Sequence, residues 1–255
     1  MSYRVGLALS AARAYAAAES ARERAERAAR GRDRVLSAVT HDLRAPLATV
    51  HLGASLLADA EHADEAYGDI VNRIVRATGR MRRLVEDLLD LGQLESGVLR
   101  VQRARVKLGA LLADTADELA ERARAAQKEL ACAPPAEPVE VIGDHQRLAQ
   151  VLVNLIVNAI DHTPPGTWIV IGGEVCGDFA RVWVEDDGPG IASELVEHLF
   201  EPHVRGSRAT SHGAGLGLWI AKAIAVAHGS DLQVISAPDQ GTRFEMRLAL
   251  AAPEP

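Results

Sequence analysis

Three groups of residues in this 255-residue chain have types and spacings that can do chemistry. The first is Ser37-Ala-Val-Thr-His41-Asp42-Leu-Arg-Ala45-Pro46-Leu47. Apolar positions Leu36, Val39, Leu43, Leu47, Val50, Ala54 and Leu57 recur at steps of three and four, the stripe of an amphipathic helix. His41 lies two positions past Val39, about 200° around the helix, and is expected to face solvent. An exposed imidazole titrates near neutrality, and its unprotonated nitrogen can attack an electrophile. Asp42 can orient the ring or accept its proton. Pro46 lacks an N–H for the carbonyl of Asp42 and should bend the helix beside the ring.

The second group lies on a helix expected from Asp144 to His162. Leu148, Val151, Leu152, Leu155, Ile156 and Ala159 form an apolar face, while Arg147, Gln150, Asn154, Asn158 and Asp161 share a polar border. Asn154 and Asn158, four apart, can aim side-chain carbonyls at one point, a hard-oxygen arrangement suited to Mg²⁺ bound together with phosphate. The third group is a pair of glycine-rich turns. Asp186-Asp187-Gly188-Pro189-Gly190-Ile191 follows an alternating strand, Arg181 to Val184, and places a carboxylate where it can accept a hydrogen bond from an exocyclic amine such as that of adenine. Gly213-Ala-Gly215-Leu216-Gly217-Leu218 opens a helix that should end at Gly229, and its backbone N–H groups and positive dipole end can hold phosphate. No Gly-Lys pair is present, so this is not a Walker A loop. Arg205 and Arg208 lie in an aperiodic stretch, about 203–212, which reads as a lid with Arg205 meeting the terminal phosphate.

The remaining elements must position these groups. Residues 1–33 read as a helical lead-in rich in Ala, Arg and Glu. A turn at Asp59–Asp64 should join the His41 helix to a second one, Tyr67 to Glu95, with its own stripe of Ile70, Ile74, Met81, Leu84, Val85, Leu88 and Leu91. A lone hairpin leaves apolar surface wet, so two copies are expected to pair as a four-helix bundle over residues 34–98. Residues 101–250 alternate helix and strand pairs, an α/β sandwich with one covered sheet face, and end in a strand with Phe244, Met246, Leu248 and Leu250 on one side and Arg243, Glu245 and Arg247 on the other. Residues 251–255 read as a frayed tail. The fold class is therefore α+β with two domains.

Composition bounds the rest. A hydrophobic content of 48% with 25% charged residues is that of a globular protein, and a net charge of −7 argues against nonspecific nucleic-acid binding. No apolar run is long enough to span a bilayer. The stretch from Val5 to Ala18 is interrupted by Arg13 and is rejected as an export signal, so a cytoplasmic location is expected. Cys132 and Cys176 are expected to be two buried, unpaired thiols.

Taken together, these motifs resemble the transmitter portion of bacterial sensor histidine kinases, from about residue 34 to residue 250. The His41 segment is similar to the H box and Gln150–Ala159 to the N box. Val184–Ile191 resembles the first glycine box, Leu199-Phe200-Glu201-Pro202 the F box, Gly213–Leu218 the second glycine box, and Gly241-Thr242 the last. The resemblance implies a homodimeric hairpin followed by a Bergerat-type ATP-binding domain. The γ-phosphoryl group of ATP would pass to His41 and then to an aspartate on a response regulator receiver domain. Asp186 would read adenine and Asn158 would hold Mg²⁺ with Asn154 assisting. Gly188, Gly190, Gly213, Gly215, Leu216, Gly217 and Thr242 would shape the nucleotide site, and His162 would stack on it. Two other readings stay open: another Bergerat ATPase, though Asn154 stands where such enzymes carry a glutamate base, and a nucleotide-binding scaffold without catalysis.

The chain departs from the family pattern at Asp161, acidic where a basic residue is frequent, at His203, where phenylalanine is common, and at Ala45, where relatives that dephosphorylate their regulator carry threonine or asparagine to position water. The Ala45 methyl group offers no hydrogen bond, so weak phosphatase activity is expected. An Ala45→Thr variant should release phosphate faster from a phosphorylated receiver domain, and unchanged release would refute this role for position 45.

Overall fold

The computed structural model describes residues 43, 46–57, 65–95, 99, 101–201 and 216–252. Two compact units divide within one helix, after Leu84.

In the first unit, helix α1 (residues 46–57) is followed by α2, Glu65–Glu95. The two meet at a glycine: a Cβ added to Gly53 would lie 2.8 Å from Cγ1 of Ile74, so a larger residue there would push the helices apart. Pro46, Ala77 and Leu84 are buried. Part of the expected stripe is nevertheless wet. Leu47 is 55% exposed and Val85 46%, and apolar residues outside the stripe, Leu52 and Val75 at 61% each, add to the apolar surface left uncovered. His41, Asp42, Ala45 and the expected turn at 59–64 lie outside the described residues.

The second unit contains the tail of α2 and everything after it. Strand β1 (Ala104–Lys107) pairs antiparallel with β3 (Glu140–Gly143) as a small separate sheet. The main sheet runs β2-β4-β5-β7-β6, built from Glu129–Ala133, Trp168–Cys176, Phe179–Asp186, Thr242–Ala249 and Leu232–Ser236. Among the described strands only β2 and β4 pair in parallel. Helices α3 (Leu108–Ala125), α4 (His145–His162) and α6 (Gly217–Ala227) cover one face, and a short α5 spans Ser193–Val196. Alternation decides which strand residues are covered: Ile169, Ile171, Val182, Val184, Phe244, Met246 and Leu248 are buried, as expected for one-sided cover.

The open face departs from simple alternation. Glu245 points away from the core yet is only 7% exposed, because the Arg243 and Arg181 guanidinium groups close over it at 3.3 and 3.9 Å. Arg243 also stacks on Trp183 and Arg247 on Phe179. Cys132 and Cys176 are free, as expected, but half-exposed rather than buried: Cys132 lies on an edge strand, and Cys176 on the open face accepts a hydrogen bond from Arg181.

The tail of α2 belongs with the second unit for a polar reason. Asp90, 4% exposed, accepts hydrogen bonds from Arg147 and Gln150 of α4, each at 2.5 Å. Asp90→Ala would strip the acceptor from both donors, a loss of about 2 kcal/mol for bonds to a charged group. All three tryptophans, at 168, 183 and 219, lie in this unit. Their fluorescence should report a melting point lower by roughly 4–8 °C.

Candidate nucleotide site

Helix α4 forms where the sequence places it because Asp144 caps it. Asp144 Oδ1 accepts the N–H groups of Gln146 and Arg147, and Oδ2 accepts that of Gln102. The apolar face is buried as expected: Leu148, Val151, Leu152, Leu155, Ile156 and Ala159 are all at or below 4% exposure. This orientation leaves Asn154 and Asn158 half-buried on the border. Asn154 Nδ2 donates to Gly217 O at 3.1 Å, tying the N box to the first residue of α6. Leu216, just ahead of it, is buried at 1% exposure.

At the C-terminal end of β5, register places Asp186 opposite Thr242 on β7 and Ile169 on β4. Asp186 is 7% exposed, and its Oδ1 accepts the Gly188 N–H at 3.0 Å. Backbone contacts then lock the loops together. Gly190, at φ +68°, lies so close to Ala237 that a Cβ would sit 1.9 Å from its carbonyl oxygen. Gly241, at φ +75°, stands in the same relation to the carbonyl of Asp186, at 2.0 Å. Only glycine meets both the positive φ and the close approach. Ser236 completes the lock, accepting the Ile191 N–H at 2.9 Å while donating to Gly241 O at 2.7 Å.

The structure therefore brings Asp186, Gly188, Gly190 and Thr242 into one cluster, and joins Asn154 to Leu216 and Gly217. Thr163, just past α4, packs its methyl group where a Cβ on Gly188 would go, so the end of the N-box helix touches the first glycine loop. Phe200 of the F box packs edge-on against Phe244 with Lys222 over its ring. Arg205, Gly213 and Gly215 lie outside the described residues.

The acidic Asp161 has a local explanation: Arg122 of α3 holds its two oxygens at 2.9 and 3.0 Å. Next to it, His162 is exposed at the surface, and desolvation holds its imidazole below the ordinary value; Asp161 opposes that shift and Lys128 reinforces it. A neutral ring keeps a face available for stacking. Sequence reasoning missed Lys128, Thr163 and Ser236. Lys128 could have been singled out as a lone lysine between a helix end and an apolar strand.

Among the described residues no cluster of three or more His, Cys, Asp or Glu could hold a metal. The residues present do fit Mg²⁺ that retains water and shares phosphate oxygens. Asn158 has no side-chain hydrogen-bond partner among the described residues, and Asn154, donating through its nitrogen, keeps its carbonyl oxygen available.

A one-faced sheet with a capped asparagine helix and interlocked glycine turns defines an ATP-binding domain of the Bergerat class. The family of histidine kinase-, DNA gyrase B- and HSP90-like ATPases matches residues 143–252, and the His Kinase A (phospho-acceptor) domain matches residues 31–97. The chain is 35% identical over 243 residues to the probable sensor histidine kinase TcrY of Mycobacterium tuberculosis, covering 94% of this chain and 50% of TcrY. It is 34% identical to the sensor protein SphS of Synechococcus elongatus, over 84% of this chain and 53% of SphS. It thus spans about half the length of these relatives. Among solved structures, the histidine kinase AdeS of Acinetobacter baumannii superposes with a TM-score of 0.62 at 26% identity, over 83% of this chain and 98% of AdeS. Full-length ShkA in complex with AMPPNP gives 0.64 at 27%, over 86% of this chain and 46% of ShkA. The chain belongs to the sensor histidine kinases.

The Asp186 carboxyl is pushed up to about 6 by burial, against the Gly188 N–H and Lys128, with Asp187 and Glu185 adding to the rise. A hydrogen bond from an adenine amine would favour the ionised form. Nucleotide affinity should therefore fall as pH drops below about 6, and Asp186→Asn should lose that component of the pH profile. Without nucleotide the sign reverses: the raised group stabilises the fold fully below 3.8, and this contribution is lost as pH rises through about 6. Calorimetric titration with ATP from pH 5 to 8 checks the first effect, and thermal unfolding from about pH 3.5 to 7 the second.

Proposed function

We propose that the chain is an ATP-dependent histidine autokinase that phosphorylates His41 and passes the phosphoryl group to an aspartate of a response regulator in a two-component pathway. The observation that carries this reading is the interlock of Gly190 with Ala237 and Gly241 with Asp186, which supports a nucleotide site there, in a chain that also matches a phospho-acceptor domain over residues 31–97. The AMPPNP bound to ShkA, a structural relative, supports ATP as the nucleotide.

In this reading residues 34–98 form the dimerising phosphotransfer hairpin, residues 101–250 bind ATP, and residues 1–33 lead in. The exposed Leu47, Leu52, Leu56, Val71 and Val75 support a homodimer, since a second copy would cover them. Asp186 accepts the adenine amine, His162 stacks, and Gly188, Gly190, Gly213, Gly215, Leu216, Gly217 and Thr242 are assigned to the nucleotide site. Asn158 and Asn154 would hold Mg²⁺, which when bound neutralises phosphate charge. Arg205 meets the terminal phosphate. The unprotonated His41 nitrogen forms a bond to the γ-phosphorus as the bond to the ADP oxygen breaks, and Asp42 takes the proton that the ring sheds. No helix among the described residues is long and apolar enough to cross a membrane.

Incubation of the chain with γ-labelled ATP should give acid-labile, base-stable protein label. His41→Gln should abolish it, and Asn158→Ala should reduce it by about a hundredfold or more. Label persisting in His41→Gln would overturn the assignment. Phosphate release without label would point to a hydrolytic ATPase, and ATP binding without either to a scaffold.

A further inference from the structure

Of the three lysines only Lys128 is buried, at 5% exposure. The turn that places it is specific. Helix α3 ends at Ala125, the chain leaves its cap through Gln127 at φ +57°, and the Lys128 N–H returns to Ala123 O at 2.9 Å. Gly166 then donates to Gln127 O, and Glu129 to Thr167 O, opening the β2–β4 pairing. From this corner Lys128 Nζ donates to Thr163 O at 2.7 Å and to Ile160 O, both at the end of α4. A cation at these carbonyls meets the negative end of the helix dipole.

Two further facts connect this cap to the nucleotide site. Thr163, whose carbonyl Lys128 holds, packs its side chain against Gly188 of the first glycine loop. Lys128 also acts electrostatically on Asp186, whose own Oδ1 accepts the Gly188 N–H.

We infer that Lys128 is a positioning residue for nucleotide binding, fixing the end of the N-box helix against the first glycine loop and supplying the positive charge that keeps Asp186 an acceptor. The inference rests on the proposed adenine role of Asp186. The charges around it are few. Asp187 and Glu185 raise Asp186, whereas the Gly188 N–H and Lys128 lower it. Burial lowers Lys128 itself, while Asp161 and Asp186 raise it. Asp161 is shared with Arg122, and His162 feels Lys128 and Asp161 in opposite senses. Without Lys128, the Gly188 N–H is the remaining influence that holds Asp186 down.

The test measures ATP binding by the full chain, with Mg²⁺, from pH 5 to 8. Lys128→Met should weaken binding about tenfold at pH 7.5 and move the acid-side midpoint up by about one pH unit, whereas Lys128→Arg should return both toward the parent. ATP's own titration is common to every variant and cancels. In an Asp186→Asn background Lys128→Met should cause no midpoint shift. Affinity lowered equally at all pH values, with the midpoint unmoved, would make Lys128 a structural cap only and overturn the inference. Parent-like affinity in Asp186→Asn alone would instead overturn the adenine role. Should Lys128→Met fail to fold, judged by tryptophan fluorescence, Lys128→Gln keeps a donor for the carbonyls without the charge, and the same midpoint shift is required of it.

Discussion

Two backbone segments that could not approach each other if either carried a side chain hold the candidate site together. The carbonyl of Asp186 occupies the space of a Cβ at Gly241, and the carbonyl of Ala237 occupies that of a Cβ at Gly190. The contact fixes where strand β5 ends relative to β7, and hence where the Asp186 carboxylate stands. It also sets the path of the first glycine loop, which the end of α4 then meets through Thr163. A side chain at either glycine would displace main chain rather than a flexible neighbour, so there is little room for compensation.

Helix α4 carries the second half of the arrangement. Its apolar face is sealed against the sheet, and most of its polar border is committed to partners. Arg147 and Gln150 hold Asp90, Asn154 holds Gly217, and Asp161 is held by Arg122. Asn158 is left with its amide uncommitted among the described residues. A helix pinned at so many points on one border holds the Asn158 side chain with little conformational freedom of the helix itself.

Much of this was legible in the sequence because it rests on periodicity and on residue types with one dominant use. The 3.6-residue stripe of Leu148 to Ala159 identifies the buried face of α4, and the glycines around Pro189 mark a turn. What escaped detection depends on long-range partners. Lys128 stands out as a lone lysine between a helix end and an apolar strand, but its partners at the end of a helix more than thirty residues away are not written near it, and nothing near Asp90 announces Arg147. Glu245 alternates as a solvent-facing residue should, yet two arginines from the same sheet bury it. That the hairpin leaves apolar surface wet was foreseen from pattern, but Leu52, Leu56, Val71 and Val75, which make up much of that surface, lie outside the stripe read from the sequence.

The order of strands has a consequence for how the site comes into being. Register between β5 and β7 joins residues 56 to 70 positions apart, from Asp186 with Thr242 to Phe179 with Ala249. Such distant pairings form late, since a long loop must close before they are rewarded. During synthesis the Asp186 loop emerges well before the strand that seats it. ATP then recognises only the finished fold, and by mass action becomes a stabiliser of the completed chain over its partly folded precursors.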